Sequence, residues 1–312
     1  MIRSLFCSLI LITFLSQAWA ADRKTYPMEV AANGVHRITF DVQEGEFVLR
    51  GDPSATSASL RVSIDRFWIF RLGEEGILKR LIKVSGEGTD ELVVATDIPR
   101  SIANWGRAEY PIDFEVVVPA TIPLTVRDTS GDIRISQMNA DVEVHDGSGR
   151  LTVSDVHGAV SLTKESGDIE VRRVSGETRI SSKTGQMKLQ DLAGLEIEQS
   201  DGDLSVMNTG PARIHNQSGN LRISAVKGAL EITDESGEIQ VANVAGDVTI
   251  HDTSGQIRVS QAGVVTVDDT DGDVTVQNAA SLAVRTKESG QVKVSGISGA
   301  VEVPPNITLK RE

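Results

Sequence analysis

The chain has 312 residues, 39% of them hydrophobic and only 4% aromatic, with a formal net charge of −13. That length supports one or two domains with a real core, and the acidity argues against nucleic acid, whose phosphates demand a basic face. A single cysteine rules out an internal disulfide framework, so packing and hydrogen bonds must hold the fold.

Residues 1–20 read as an export signal. Arg3 supplies the positive start, a mostly apolar run follows from Leu5 to Leu15, and Ala18-Trp19-Ala20 is a small-x-small cleavage site. The run is too short for a membrane-spanning helix. Cys7 lies inside it behind Phe6, where a lipoprotein signal would want a small residue, so no lipid anchor is expected. No later segment is apolar enough to span a membrane. The expected location is the periplasm, with an extracellular or surface-associated site as the alternative.

Residues 21–127 predict an irregular β-rich region. GEFVLRG (Gly45 to Gly51), SLRVSID (Ser59 to Asp65), ELVVATD (Glu91 to Asp97) and DFEVVVP (Asp113 to Pro119) alternate like strands, and TIPLTV (Thr121 to Val126) leads straight into the first clear coil of a repeat. Between them, Arg66 to Val84 places Ile77, Leu78, Leu81 and Ile82 at helical spacing, with Lys79, Arg80 and Lys83 on other faces. A membrane-surface helix would mix basic and aromatic residues in this way. A cap over an open sheet end would need the same apolar stripe.

From Asp128 the chain repeats. DTSGDIRIS (Asp128 to Ser136) returns as DTSGQIRVS (Asp252 to Ser260), and Ser-Gly-like turns fall between them at Gly131, Gly149, Gly167, Gly185, Gly202, Gly219, Gly237 and Gly255, continuing to Gly272 and Gly290. The steps are 17 or 18 residues throughout. Two and four positions after each glycine the residue is aliphatic or Met, from Ile133/Ile135 to Val292/Val294, with mostly polar residues between. Second halves echo this at Val142/Val144, Val160/Leu162, Leu230/Ile232, Val248/Ile250 and Val301/Val303. A strand of three to five residues cannot bury its face alone, so the coils must stack. At an inter-strand spacing of about 4.8 Å, ten coils build a parallel β-solenoid about 48 Å long. The regular array is expected over 128–303, followed by a tail at 304–312. No Phe, Trp or Tyr occurs in the array, which predicts a narrow interior suited to Val, Ile and Leu.

VVVPATIPLTVRDTSGDIRIS (Val116 to Ser136), with the Ser-Gly turns after it, resembles the bacterial putative adhesin family. Ser130-Gly131-Asp132-Ile133, Ser166-Gly167-Asp168-Ile169 and Ser236-Gly237-Glu238-Ile239 carry the resemblance, which covers roughly Val35 to Val303. It implies an exported or surface-associated β-solenoid with an adhesin-like role, and it brings no binding residue with it.

The residues offer little chemistry. His145, His215 and His251 share one ladder position but belong to non-adjacent coils, and His36 and His157 lie elsewhere. At about 9.6 Å apart, His215 and His251 cannot share a zinc. Polysaccharide-cleaving β-helices need long loops to wall a cleft, and coils of 17 or 18 residues leave no room for them. A nonapeptide calcium roll requires paired glycines and a regular Asp in each unit, which these halves lack. Asp234, Asp252 and Asp269 stand three residues before successive turn glycines, where they would either bind calcium weakly or cap their own turns, as Asn216 and Ser182 could at the same offset. No catalytic, cofactor-binding or metal residue is assigned from the sequence, and no cofactor is expected. The expectation is a non-catalytic envelope scaffold or adhesin-like protein whose partner is an envelope protein or a glycan. A polysaccharide-binding or polysaccharide-degrading β-helix is the alternative.

Overall fold

The computed structural model describes residues 23–66, 69, 73, 76–97, 112–286 and 288–311, so the expected signal lies outside the described residues. Nine strands and one helix begin the fold: β1 (Arg23–Ala31), β2 (Arg37–Glu44), β3 (Phe47–Asp52), β4 (Ser57–Asp65), α1 (Ile77–Leu81), β5 (Ile82–Ser85), β6 (Glu91–Thr96), β7 (Ile112–Pro119), β8 (Leu124–Ser130) and β9 (Ile133–Met138). From Val142 onward every coil contributes one pass to each of two parallel sheets. One sheet runs through 142–146, 160–166 and 178–184, the other through 151–156, 169–174 and 187–192, each strand paired with its equivalent 17 or 18 residues away. This is the β-solenoid that the repeat predicts.

Alternation puts one row of side chains from each sheet inside. All ten aliphatic pairs that follow the turn glycines are at most 5% exposed, from Ile133 and Ile135 to Val292 and Val294. Second-half pairs are equally buried through Val248 and Ile250, but Val301 and Val303 are only partly covered at the C-terminal end. There the strand shrinks to Val301–Glu302.

The sequence motif Ser-Gly-Asp ties coils together rather than only closing its own turn. The serine hydroxyl reaches back: Ser236 Oγ donates to the Gln217 carbonyl at 3.3 Å, and Ser254 Oγ to that of Glu235 at 3.2 Å. The aspartate reaches forward: Asp132 accepts the Arg150 N–H at 2.9 Å, and Asp203 that of Asn220 at 2.9 Å. One turn therefore satisfies backbone groups of two neighbours, which fixes the register of the stack.

A second ladder was not visible as glycine. Gln137, Asp155, Arg173, Asp191, Asn208, Ala225, Asn243, Gln261 and Asn278 all take positive φ between 54° and 60°, six residues after successive turn glycines. Left-handed backbone is costly except for Gly and, among other residues, Asn and Asp, and those two types fill five of the nine places. Ala225 is the misfit, lying between Asn208 and Asn243. Ala225→Asn is expected to stabilise the protein by about 0.5–1 kcal/mol, read as a higher urea midpoint.

The N-terminal third departs from sequence order. β2 pairs in parallel with β8 on one side and β6 on the other, while β3 lies between β9 and β7. The coil made by β6 and β7 therefore sits outside the earlier coil made by β2 and β3. Antiparallel strands finish this end, β5 on β6, and β4 on β7 with β1 beyond it. Helix α1 is a single turn whose Ile77 and Leu81 join the core. Ile82, expected on the helix, instead opens β5. Aromatic rings do enter the interior here: Phe40 and Phe47 are at most 1% exposed, 5.2 Å apart, and Phe47 lies 6.1 Å from Phe114. Phe47 also stands in register with Ile133. The interior is thus wide enough for rings at its start, and a narrow core does not by itself explain their absence from the later coils.

Candidate functional site

The most unusual chemistry lies inside the solenoid. Three residues before each turn glycine, the side chain faces inward, and the ladder reads Asp128, Asp146, Lys164, Ser182, Gln199, Asn216, Asp234, Asp252 and Asp269. Each is at most 8% exposed. The structure brings Asp234, Asp252 and Asp269 together as the spacing predicted, and it extends their row through Gln199 and Lys164 to Asp146 and Asp128. The extension was legible in principle, because the offset from the glycine is the same.

Short local bonds satisfy part of this ladder. The Ser130 N–H donates to Asp128 Oδ1 at 3.2 Å, and the Ser254 N–H to Asp252 Oδ1 at 3.3 Å, which is the turn-capping role. Asn216 Nδ2 donates to Asp234 Oδ1 at 2.8 Å. Lys164 ion-pairs with Asp146 Oδ2, both side chains fully buried. Yet Asp128 Oδ2, Asp146 Oδ1, Asp234 Oδ2 and Asp252 Oδ2 have no hydrogen-bond partner. Burial first, and the neighbouring carboxylate Asp146 second, push the Asp128 carboxyl up to about 7. Burial, then Asp234 and Asp269, push Asp252 up to about 7 as well, and burial lifts Asp234 to about 6. Burial also raises Asp146, against the pull of the Lys164 ammonium. Among the described residues, no three or more His, Cys, Asp or Glu side chains gather where they could hold a metal ion.

The outer faces carry only open depressions. A groove of ≈ 610 Å³ runs along one sheet between Ser205 and Thr275, with small residues Ser224, Ala242 and Ser260 as its floor and Met207 at one end. Arg222 and Arg258 flank Gln240 in register along its side. Arg258 is ion-paired with Glu238. The histidines are all at the surface in local pairs: His36 with Asp90 at 3.2 Å, His145 with Glu143 at 3.0 Å, His157 with Asn139 at 2.8 Å and His251 with Asp268 at 3.2 Å. His215 lines a separate polar depression beside Glu198 and Gln217. Nowhere in this set does a nucleophile, a base and a third orienting group converge.

A family model, Toastrack DUF4097, matches residues 113–227 and, overlapping them, 180–307. Among solved structures, a putative cell adhesion protein from Clostridium sporogenes is similar at 12% identity, over 68% of this chain and 100% of its own, with a TM-score of 0.37. A putative adhesin from Bacteroides fragilis is similar at 11% identity, over 93% and 97%, with a TM-score of 0.34. A putative lipid binding protein from Parabacteroides distasonis is similar at 13% identity, over 91% and 97%, also with a TM-score of 0.34. No curated protein matches.

Proposed function

The chain belongs to the Toastrack DUF4097 family, and from that premise we propose that it is a non-catalytic, exported β-solenoid of the cell envelope, serving as a scaffold or adhesin-like binding protein. One observation carries this reading: the array keeps a 17- or 18-residue circumference, so no loop leaves the coils to wall a substrate cleft. What the coils offer instead is a long, rigid, polar surface. Rigid repeat surfaces bind by presenting many small contacts at fixed spacing. No helix among the described residues is long and apolar enough to cross a membrane, and the sequence signal favours the periplasm over the cell exterior.

A second reading, glycan binding, rests on the outer groove. Ser, Thr and Gln side chains line it, and exposed Arg222 has no acidic partner among the described residues, so an acidic sugar could be met there by hydrogen bonds and one cation. It lacks an aromatic platform.

Pull-down of the mature protein from envelope extracts, beside a glycan array, tests both. Recovery of an envelope protein unaffected by Arg222→Ala supports the scaffold reading. Retention of acidic glycans that Arg222→Ala abolishes supports the second. Incubation with acidic and neutral polysaccharides should release no reducing ends; time-dependent release would overturn the non-catalytic reading.

A further inference from the structure

The inward ladder contains two carboxyl pairs whose orphan oxygens match in number and place. Asp128 and Asp146 are direct partners across parallel strands, and so are Asp234 and Asp252. Each pair leaves one oxygen on each member without a partner, both buried. Two adjacent carboxylates, stripped of water, repel and leave both oxygens unsatisfied. A single proton changes this. Placed on one oxygen, it makes a charge-assisted O–H···O⁻ bond that satisfies both orphans and removes half of the charge.

We propose that the solenoid core holds two proton-sharing carboxyl pairs, Asp128 with Asp146 and Asp252 with Asp234, each keeping one proton between its otherwise unpartnered oxygens, so that rising pH loosens the stack at both places. The remaining oxygens identify the donor within each pair. Asp146 is anchored as a carboxylate by Lys164, so Asp128 carries the proton. Asp234 accepts from Asn216, so Asp252 carries it in the second pair. The raised values of Asp128 and Asp252 agree with that assignment. Other charges around the first pair are Lys164, which favours ionisation, and Asp132, which opposes it on Asp146. Around the second are Asp269 and Glu235, both of which oppose it. His251 on the same strand points outward to Asp268. Val42 closes the ladder beside Asp128 with an apolar neighbour.

The ladder already contains a mimic of the protonated state. Asn216 donates its amide N–H to Asp234 across one coil step, as a protonated Asp252 would from the other side. Asp252→Asn and Asp128→Asn should therefore fold, since each supplies a permanent donor of the same shape.

The test is a carboxyl-carbon NMR titration of the mature chain labelled at aspartate, with melting temperatures at the same pH values. Two aspartates are expected to titrate with midpoints near 7, far above the ordinary 3.8. Asp252→Asn should delete one of them, and Asp128→Asn the other. Because these carboxyls hold protons in the folded chain that the unfolded chain has released, their stabilisation is full below about pH 4 and lost as pH rises through about 7. The wild-type melting temperature should fall over that window, and the double Asn variant should fall less and melt higher at about pH 8. Aspartates that all titrate below about pH 5 would overturn the proposal, and the wild-type spectrum alone decides this if a variant fails to fold. A double variant that loses stability with pH as steeply as wild type would also overturn it.

Discussion

Val241→Asp is expected to cost about 4 kcal/mol, whereas Gln240→Asp, one residue away, should change stability by less than about 0.5 kcal/mol. Val241 is 3% exposed and stacks in register between Ile223 and Val259, each 2% exposed. A carboxylate there finds only aliphatic neighbours on both flanking coils. It must ionise without water or hold a proton at the expense of its ordinary acidity, and both cost free energy. Gln240 faces outward on the same strand, between Arg222 and Arg258. A carboxylate at that place meets two cations in solvent, worth a few tenths of a kcal/mol at most. Because each coil leans only on its neighbours, the inward substitution should also broaden the unfolding transition as the stack loosens around that coil. Urea unfolding of both variants checks the pair. Equal losses would mean that the inside and outside of the solenoid are assigned wrongly.

The array was legible because its physics is local and periodic. Turn glycines at 17- or 18-residue steps and aliphatic residues two and four places later are enough to define coil, corner and core. The strands read from Gly45, Ser59, Glu91 and Asp113 all occur, within a few residues at their ends. Strand β2, with Ile38, Phe40 and Val42 inward, was overlooked although it alternates as clearly as they do. Its place between β6 and β8 could not be read at all, because a coil threaded out of sequence order leaves no period. The buried ladder was half legible. Asp234, Asp252 and Asp269 attract notice as three like residues, whereas Lys164 and Gln199 break the pattern by type while keeping it by position. That they all face inward follows from the parity of the strand, and the sequence shows that parity only once the glycine corner is taken as its origin. The left-handed ladder was hidden for a different reason: Arg173 and Ala225 occupy it as well as Asn and Asp, so composition alone does not mark it.

Gly237→Ala is expected to cost about 3 kcal/mol, and Gly194→Ala less than about 0.5 kcal/mol in either direction. Both residues sit in the array, but their surroundings differ. Gly237 has φ +140°, a conformation that L side chains rarely adopt, and a Cβ on it would lie 2.0 Å from the Gly219 carbonyl oxygen of the preceding coil. The collision is with backbone, so no side chain can move aside. The coils must part at that corner, and the serine and aspartate bonds that staple them stretch with it. Gly194 has no positive φ, and its Cβ would meet nothing closer than the Glu177 side chain at 3.9 Å. There the loss of unfolded-chain entropy favours alanine slightly. Gly176 separates the two causes, because it also lacks a positive φ while its Cβ would lie 2.4 Å from the Gly158 carbonyl oxygen. If close approach of the coils dominates, Gly176→Ala should fall near Gly237→Ala. If backbone conformation dominates, it should fall near Gly194→Ala. Denaturant midpoints of the three variants decide the matter, and a loss at Gly194 as large as at Gly237 would refute the stacking of glycine on carbonyl as the reason the corner repeats.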